Sequence, residues 1–127
     1  MDKEGTILAL SVIFGLVHVA TAVYGLYAVS GSTGLRIIVL SALIFIVAAS
    51  PVYVFLRYSI ILPLLFSLYI QFGVVNEVIY GYSVEPSIVI YFSPIIQILL
   101  ISGLAVLAVI EYGVRAQIGI FPPSSLL

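Results

Sequence analysis

The chain has 127 residues, of which 64% are hydrophobic and only 7% are charged. Because soluble domains are typically about 45–50% apolar and about 25% charged, a soluble fold of this composition would expose a continuous apolar surface and aggregate. Four basic and five acidic residues give a net charge of −1 and form no run, which excludes nucleic acid as a partner and a polybasic lipid-binding patch. The composition predicts an integral membrane protein whose main partner is the lipid bilayer.

Residue types needed for common chemistry are missing from this sequence. Cysteine is absent, which excludes disulfides, thiolate nucleophiles, iron–sulfur clusters and thiolate zinc sites. One histidine and one methionine cannot supply the axial ligands of a di-haem protein, and no glycine-rich phosphate loop occurs. We therefore expect no enzymatic activity and no cofactor.

Four apolar stretches follow one another along the chain. Each is about as long as the roughly 20 residues that a helix needs to cross a hydrocarbon core about 30 Å thick. None shows the alternating pattern of a membrane β-strand, so helices are expected. The stretches lie at residues 6–29, 35–56, 60–80 and 87–112.

Only short polar segments, at residues 30–34, 57–59 and 81–86, separate these stretches. Such short connections make consecutive helices antiparallel neighbours. We predict an all-α integral membrane protein in which residues 1–127 form one domain, a bundle of four transmembrane helices with up-down-up-down topology. Two prolines inside the predicted helices, Pro51 and Pro94, should kink them.

The distribution of basic residues predicts the orientation of the bundle. Lys3, Arg57 and Arg115 fall on one side of the predicted membrane and Arg36 on the other. The positive-inside rule then places both termini in the cytoplasm, for a protein of the cell membrane. Tyrosines near the predicted helix ends form interfacial belts on both sides. They are Tyr24, Tyr27, Tyr53, Tyr58, Tyr80, Tyr82, Tyr91 and Tyr112.

Three polar residues, His18, Gln71 and Gln97, lie near the middle of their predicted spans. One interpretation is hydrogen-bonding between helices, worth about 0.6 kcal/mol per interaction in membranes. The other is a polar site in which His18 titrates or binds a substrate and Glu77 supplies a charge. In the first interpretation Glu77 belongs to an ion pair at the outer surface.

Helix 1 predicts the direction in which His18 points. Ser11, Gly15, His18, Ala22 and Gly25 follow alternating steps of four and three, which places small or polar residues on one face. Such a face lets a neighbouring helix approach closely in a membrane. We expect His18 to point inward, within hydrogen-bonding reach of Gln71 or Gln97.

A charged cluster is predicted at the inner end of helix 4. Glu111 and Arg115 have the i,i+4 spacing and order that favour a helical ion pair. Arg57 falls on the same side of the membrane and could join them.

Two functions are compatible with these features. The near absence of soluble loops and the small residues Ser102, Gly103, Ala105 and Ala108 on helix 4 favour an accessory or structural subunit of a membrane complex, or a homo-oligomer. The alternative is an oligomeric transporter or channel for ions or small solutes. Its path would be lined by His18, Gln71, Gln97 and Glu77.

Overall fold

A computed structural model describes residues 2–30, 34–80 and 93–119 together with 124 and 126, except for the side chains of 25–30, 36 and 77–80. The described residues form four helices and no strand, which confirms the predicted all-helical class. The helices are α1 (Lys3–Ser30), α2 (Leu35–Tyr58), α3 (Leu62–Tyr80) and α4 (Pro94–Ile118).

Three of the helices are long and apolar enough to cross a membrane. The qualifying segments are Lys3–Tyr24, Ile37–Tyr58 and Pro94–Ile118. The apolar part of α3 whose side chains are described, Leu62–Asn76, is shorter. Length and composition therefore support a membrane-embedded protein.

The last helix differs from its prediction at both ends. Pro94 is the first residue of α4 and follows an extended N-cap, Ser93, so the expected kink at Pro94 is wrong. A proline at this position costs no helical hydrogen bond because the first N–H groups of a helix are unpaired anyway. The helix continues past residue 112 to Ile118 and stops where Gly119 adopts a left-handed conformation, φ 72°. The predicted residues 87–92 lie outside the described part.

The helices pack in a rhombus rather than a square. Each of α2 and α3 contacts the three other helices, whereas α1 and α4 do not approach each other within the described residues. The main apolar cluster lies between α1, α2 and α3, with Leu100 of α4 packed against it. Its buried members are Ala22, Leu40, Ile44 and Val74.

The predicted face of α1 is the one that packs inward. Ser11, Gly15, His18 and Ala22 are all buried, and Ile7 extends the same stripe by one turn. The side chain at position 25 is not among those described. Opposite faces of the helices carry large exposed apolar side chains. Water would disfavour such a surface, whereas lipid accommodates it.

Candidate functional site

The three predicted midplane residues are buried in the bundle. His18 is 5% exposed, Gln71 6% and Gln97 0%. Gln97 lies in the first turn of α4 rather than at the middle of a helix, because α4 begins at Pro94. The side chain of Glu77 is outside the described set, so its proposed inward orientation stays a prediction.

Gln71 belongs to a short hydrogen-bonded chain that links α3 to α2. Its Nε2 donates to Ser67 Oγ at 2.7 Å, and Ser67 Oγ donates to the carbonyl oxygen of Val47 at 3.1 Å. The Ser67 side chain is fully buried. The polar bond of Gln71 is thus made to Ser67 on its own helix and not to His18, contrary to one of the two expected pairings.

Proline explains why a serine is needed at that position. Pro51 lies inside α2 and has no N–H, so the carbonyl of Val47, four residues earlier, lacks its helical donor. An unpaired carbonyl is costly inside a membrane, and a neighbouring hydroxyl can replace the missing donor. Ser67 fills this role. The sequence signal for this role is the i,i+4 spacing of Ser67 and Gln71 on a mainly apolar helix.

His18 and Gln97 also have interaction partners, so neither is an unpartnered polar residue. Their helices do not contact each other within the described residues. Each of the three residues is a buried polar group inside the bundle. The predicted pairing of His18 with Gln97 stays a prediction.

The grooves that are lined by described residues do not include these three polar residues. Three grooves lined entirely by described residues have volumes of about 250, 240 and 240 Å³. Two lie between α2 and α4 and one between α1 and α2, and their walls are mainly apolar. His18, Gln71 and Gln97 line none of the three. Within the described part of the chain, no group of acidic, histidine or cysteine side chains could hold a metal ion.

A second polar cluster surrounds the turn between α2 and α3. Glu111 of α4 reaches the first N–H groups of α3: its carboxylate accepts from Ile61 N at 2.9 Å and from Leu62 N at 2.8 Å. These N–H groups have no partner within the helix, and a negative charge near them interacts favourably with the helix dipole. The Glu111 side chain is only 10% exposed. Glu111 thus caps a helix other than its own.

Arg115 holds the other side of the same turn. Its Nη1 lies 3.6 Å from Glu111 Oε1 and also donates to the carbonyl of Ser59. Ser59 follows α2 in a left-handed conformation, φ 59°, and its N–H donates to Phe55 O at 2.8 Å. The Glu111–Arg115 pair therefore binds both ends of the turn, beyond the helix-end ion pair that the sequence predicts. We call Glu111, Arg115 and Ser59 the turn clasp.

Arg57 does not join the turn clasp. Its Nε lies 3.0 Å from Glu4 Oε1, and its guanidinium sits 5.3 Å from the centre of the Tyr58 ring. The predicted contribution of Arg57 to the Glu111–Arg115 pair is therefore wrong. The start of α1 lies beside the end of α2, which makes Glu4 the nearer carboxylate.

Two residues of the C-terminal tail also reach this turn. Leu126 N donates to Leu56 O at 2.9 Å, and the hydroxyl of Ser59 donates to the carbonyl of Ser124. The first bond satisfies a carbonyl at the end of α2 that the helix leaves unpaired, and the second holds the tail at Ser59. Sequence reasoning missed them because a tail rich in proline and serine carries no pairing signal.

The described residues thus form an all-helical bundle in which three helices are long and apolar enough to cross a membrane, and in which Ser67, Glu111 and Arg115 connect helices and turns. The chain matches no protein-family model, no curated protein and no solved structure.

Proposed function

We propose that the chain crosses the cell membrane four times, as an antiparallel up-down-up-down bundle with both termini in the cytoplasm. Two contacts support the alternation. Glu4 at the start of α1 pairs with Arg57 at the end of α2, and Glu111 near the end of α4 binds the start of α3. One end of the bundle thereby gathers Arg57 and Arg115, and the positive-inside rule assigns that end to the cytoplasm.

A fourth crossing by α3 is consistent with its length. Its 19 residues extend for about 28 Å at 1.5 Å per residue, close to the hydrocarbon thickness of about 30 Å. The turn clasp supports this reading, since it places charged partners at the start of α3, where the chain would enter the interface.

The function we propose is that of a building block in membrane assemblies, as an accessory or structural subunit or as a homo-oligomer, without catalytic activity. The observation that carries it is the use of polar groups inside the bundle. The Gln71–Ser67–Val47 chain and the turn clasp are engaged in holding helices together. The outward faces of the helices form a mainly apolar surface, which is suited to contact with lipid and with other helices.

The molecular mass of the complex extracted from its native membrane tests this proposal. The tagged chain, expressed at native level and extracted in mild detergent, should run as a defined assembly in light-scattering chromatography. The complex should contain either several copies or a reproducible set of partner subunits. A strict monomer without co-purifying protein would overturn the proposal.

The alternative is an oligomeric transporter or channel, favoured by the burial of His18, Gln71 and Gln97 in one bundle. Reconstituted proteoliposomes would be assayed for flux of protons, monovalent ions and cationic dyes. The building-block proposal predicts flux no greater than in empty liposomes. Flux that is lost in His18→Ala and Glu77→Gln, but retained in Ser102→Ala, would establish the alternative instead.

A further inference from the structure

The outer face of α3 carries a regular stripe of side chains. Leu62, Leu65, Tyr69, Phe72 and Asn76 follow steps of three, four, three and four residues, which is the spacing of a helix-pairing seam. The first four are 46%, 56%, 79% and 74% exposed, and Asn76 is half-buried. We call these five residues the α3 seam. Gly73 beside it has open space around its Cα, so another helix can approach closely.

Two polar groups on the α3 seam have no hydrogen bond within the described part of the chain. They are the hydroxyl of Tyr69 and the carboxamide of Asn76. This contrasts with Ser67 and Gln71 on the inner face of the same helix, which are bonded to each other. Polar side chains in membrane helices are expensive and normally find partners.

Tyr69 lies deeper in the bundle than the tyrosines near the helix ends. Glu111 binds the N–H of Leu62, so the start of α3 lies level with Glu111 and its neighbour Tyr112. Tyr69 is two turns further along α3, about 10 Å deeper in the bundle. Asn76 lies about 21 Å from Leu62 and still one turn before the end of α3. Lipid chains at these depths offer neither donors nor acceptors.

We propose that the α3 seam is the surface through which two copies of this chain pair, side by side and parallel, in the membrane. This inference rests on the proposed membrane insertion and assembly. A phenol hydroxyl and a carboxamide are each both donor and acceptor, so each can bond its own counterpart. Copies inserted with one orientation place identical residues at identical depth, and a twofold axis along the membrane normal brings them together.

One arrangement therefore satisfies both polar groups at once. Tyr69 meets Tyr69 and Asn76 meets Asn76 of the second copy, with Phe72 packing between these two layers and Leu65 packing one turn before Tyr69. The 3,4 spacing corresponds to a left-handed crossing of about 20°, the commonest geometry between membrane helices. A partner of different sequence would need two matching polar groups at the same two depths, whereas a second copy supplies them by symmetry.

Disulfide trapping tests this interface directly, since the chain contains no cysteine. Single variants Leu65→Cys, Tyr69→Cys and Phe72→Cys would be oxidised in native membranes with a copper catalyst. Each should give a covalent dimer, because facing Cα atoms in such a seam approach disulfide distance. Val17→Cys on α1 and Val109→Cys on α4 are matched controls, 63% and 72% exposed, and should stay monomeric.

A second measurement addresses the two polar groups. Tyr69→Phe and Asn76→Leu each remove one membrane hydrogen bond of typical strength, so each should weaken dimerisation about threefold. Energy transfer between labelled copies in liposomes measures the dimerisation. Ser102→Ala is the control, since Ser102 Oγ donates to Ile98 O of its own helix. Thermal unfolding should be unchanged in all three variants when measured at a dilution that separates the copies.

The outcomes distinguish this inference from the proposed function. Trapping at Val17 or Val109 but not at the seam would show an assembly with another interface, and would overturn the inference alone. A chain that is monomeric by all measurements and has no partner would overturn both. Dimers trapped only along the seam, with weaker dimerisation in Tyr69→Phe and Asn76→Leu, would establish the inference.

Discussion

Gly15 and Phe45 approach so closely that position 15 has no room for a side chain. A Cβ placed on Gly15 would lie 2.7 Å from both Cδ2 and Cε2 of the Phe45 ring and 2.9 Å from Cβ of Ala49. The ring could rotate away, but the methyl group of Ala49 is fixed to the backbone of α2. The contact between α1 and α2 therefore depends on glycine at this position.

The first prediction is that Gly15→Ala destabilises the bundle despite the higher helix propensity of alanine. Overpacking of a filled interface costs about 1–3 kcal/mol, because helices must separate or side chains must leave their preferred rotamers. The free energy of unfolding in mixed micelles, followed by circular dichroism during titration with a denaturing detergent, should fall by this amount.

Two other glycines provide matched controls for this prediction. Gly103 and Gly113 on α4 have open space where a Cβ would be added. Gly103→Ala and Gly113→Ala should leave stability unchanged or raise it by up to about 1 kcal/mol, the propensity difference between glycine and alanine in a helix. A loss in these variants equal to that in Gly15→Ala would contradict the packing explanation.

The second prediction concerns the pairing of Ser67 with the carbonyl left free by Pro51. Ser67→Ala removes the donor to Val47 O and the acceptor of Gln71 Nε2, and should cost about 1–2 kcal/mol in unfolding free energy. Pro51→Ala restores the helical N–H to that carbonyl. In the Pro51→Ala background, Ser67→Ala should therefore cost less.

A double-mutant cycle between these two positions measures the coupling. Ser102→Ala serves as the control, because its hydroxyl bonds a carbonyl of its own helix that already has a helical partner. Costs of Ser67→Ala that are equal with and without Pro51 would show that the serine does not compensate for the proline.

The sequence predicts the helices and the inward face of α1 well, since both follow from local patterns. Continuous apolar stretches define the spans, and the 11, 15, 18, 22 spacing predicts four residues that are buried. The predicted start of α4 differs from the observed one because an apolar run continues across Pro94. Hydrophobicity alone cannot tell a proline in a first turn from one inside a helix.

The turn clasp was only half predictable for a different reason. Glu111 and Arg115 are four residues apart, so their pairing follows from helix geometry. The bonds from Glu111 to Ile61 and Leu62 join residues about fifty positions apart, and backbone donors leave no trace in the residue types. Arg57 lies at the predicted end of the bundle but pairs with Glu4, because more than one carboxylate lies at that end.

The third prediction tests Glu111 as the cap of α3. Glu111→Ala leaves the N–H groups of Ile61 and Leu62 and the largely buried Arg115 without their carboxylate, at an expected cost of about 1–3 kcal/mol. Glu111→Gln should have an intermediate effect, since it keeps an acceptor oxygen but loses the charge. Amide hydrogen exchange at Ile61 and Leu62 should accelerate in both variants.

Glu4→Gln is the control for loss of a carboxylate at the same end of the bundle. Glu4 pairs with Arg57, but its side chain is 58% exposed. An exposed pair contributes about 0–1 kcal/mol, so stability should change little and exchange at Ile61 should be unaffected. Equal effects of Glu4→Gln and Glu111→Ala would point to net charge rather than capping.

The fourth prediction separates the backbone of Ser59 from its hydroxyl. Ser59 adopts φ 59°, which costs an L-residue about 1–2 kcal/mol, and its hydroxyl bonds the carbonyl of Ser124. Ser59→Gly relieves the strain but loses the bond, so its unfolding free energy should stay within about 1 kcal/mol of the wild type. Ser59→Val loses the bond and adds a β-branched side chain at positive φ, and should be about 2 kcal/mol less stable than Ser59→Gly. Digestion by carboxypeptidase should nevertheless accelerate equally in both variants, because both lose one of the two bonds that hold the tail at the turn. A tail that is digested at the wild-type rate in Ser59→Gly would show that the hydroxyl does not hold it.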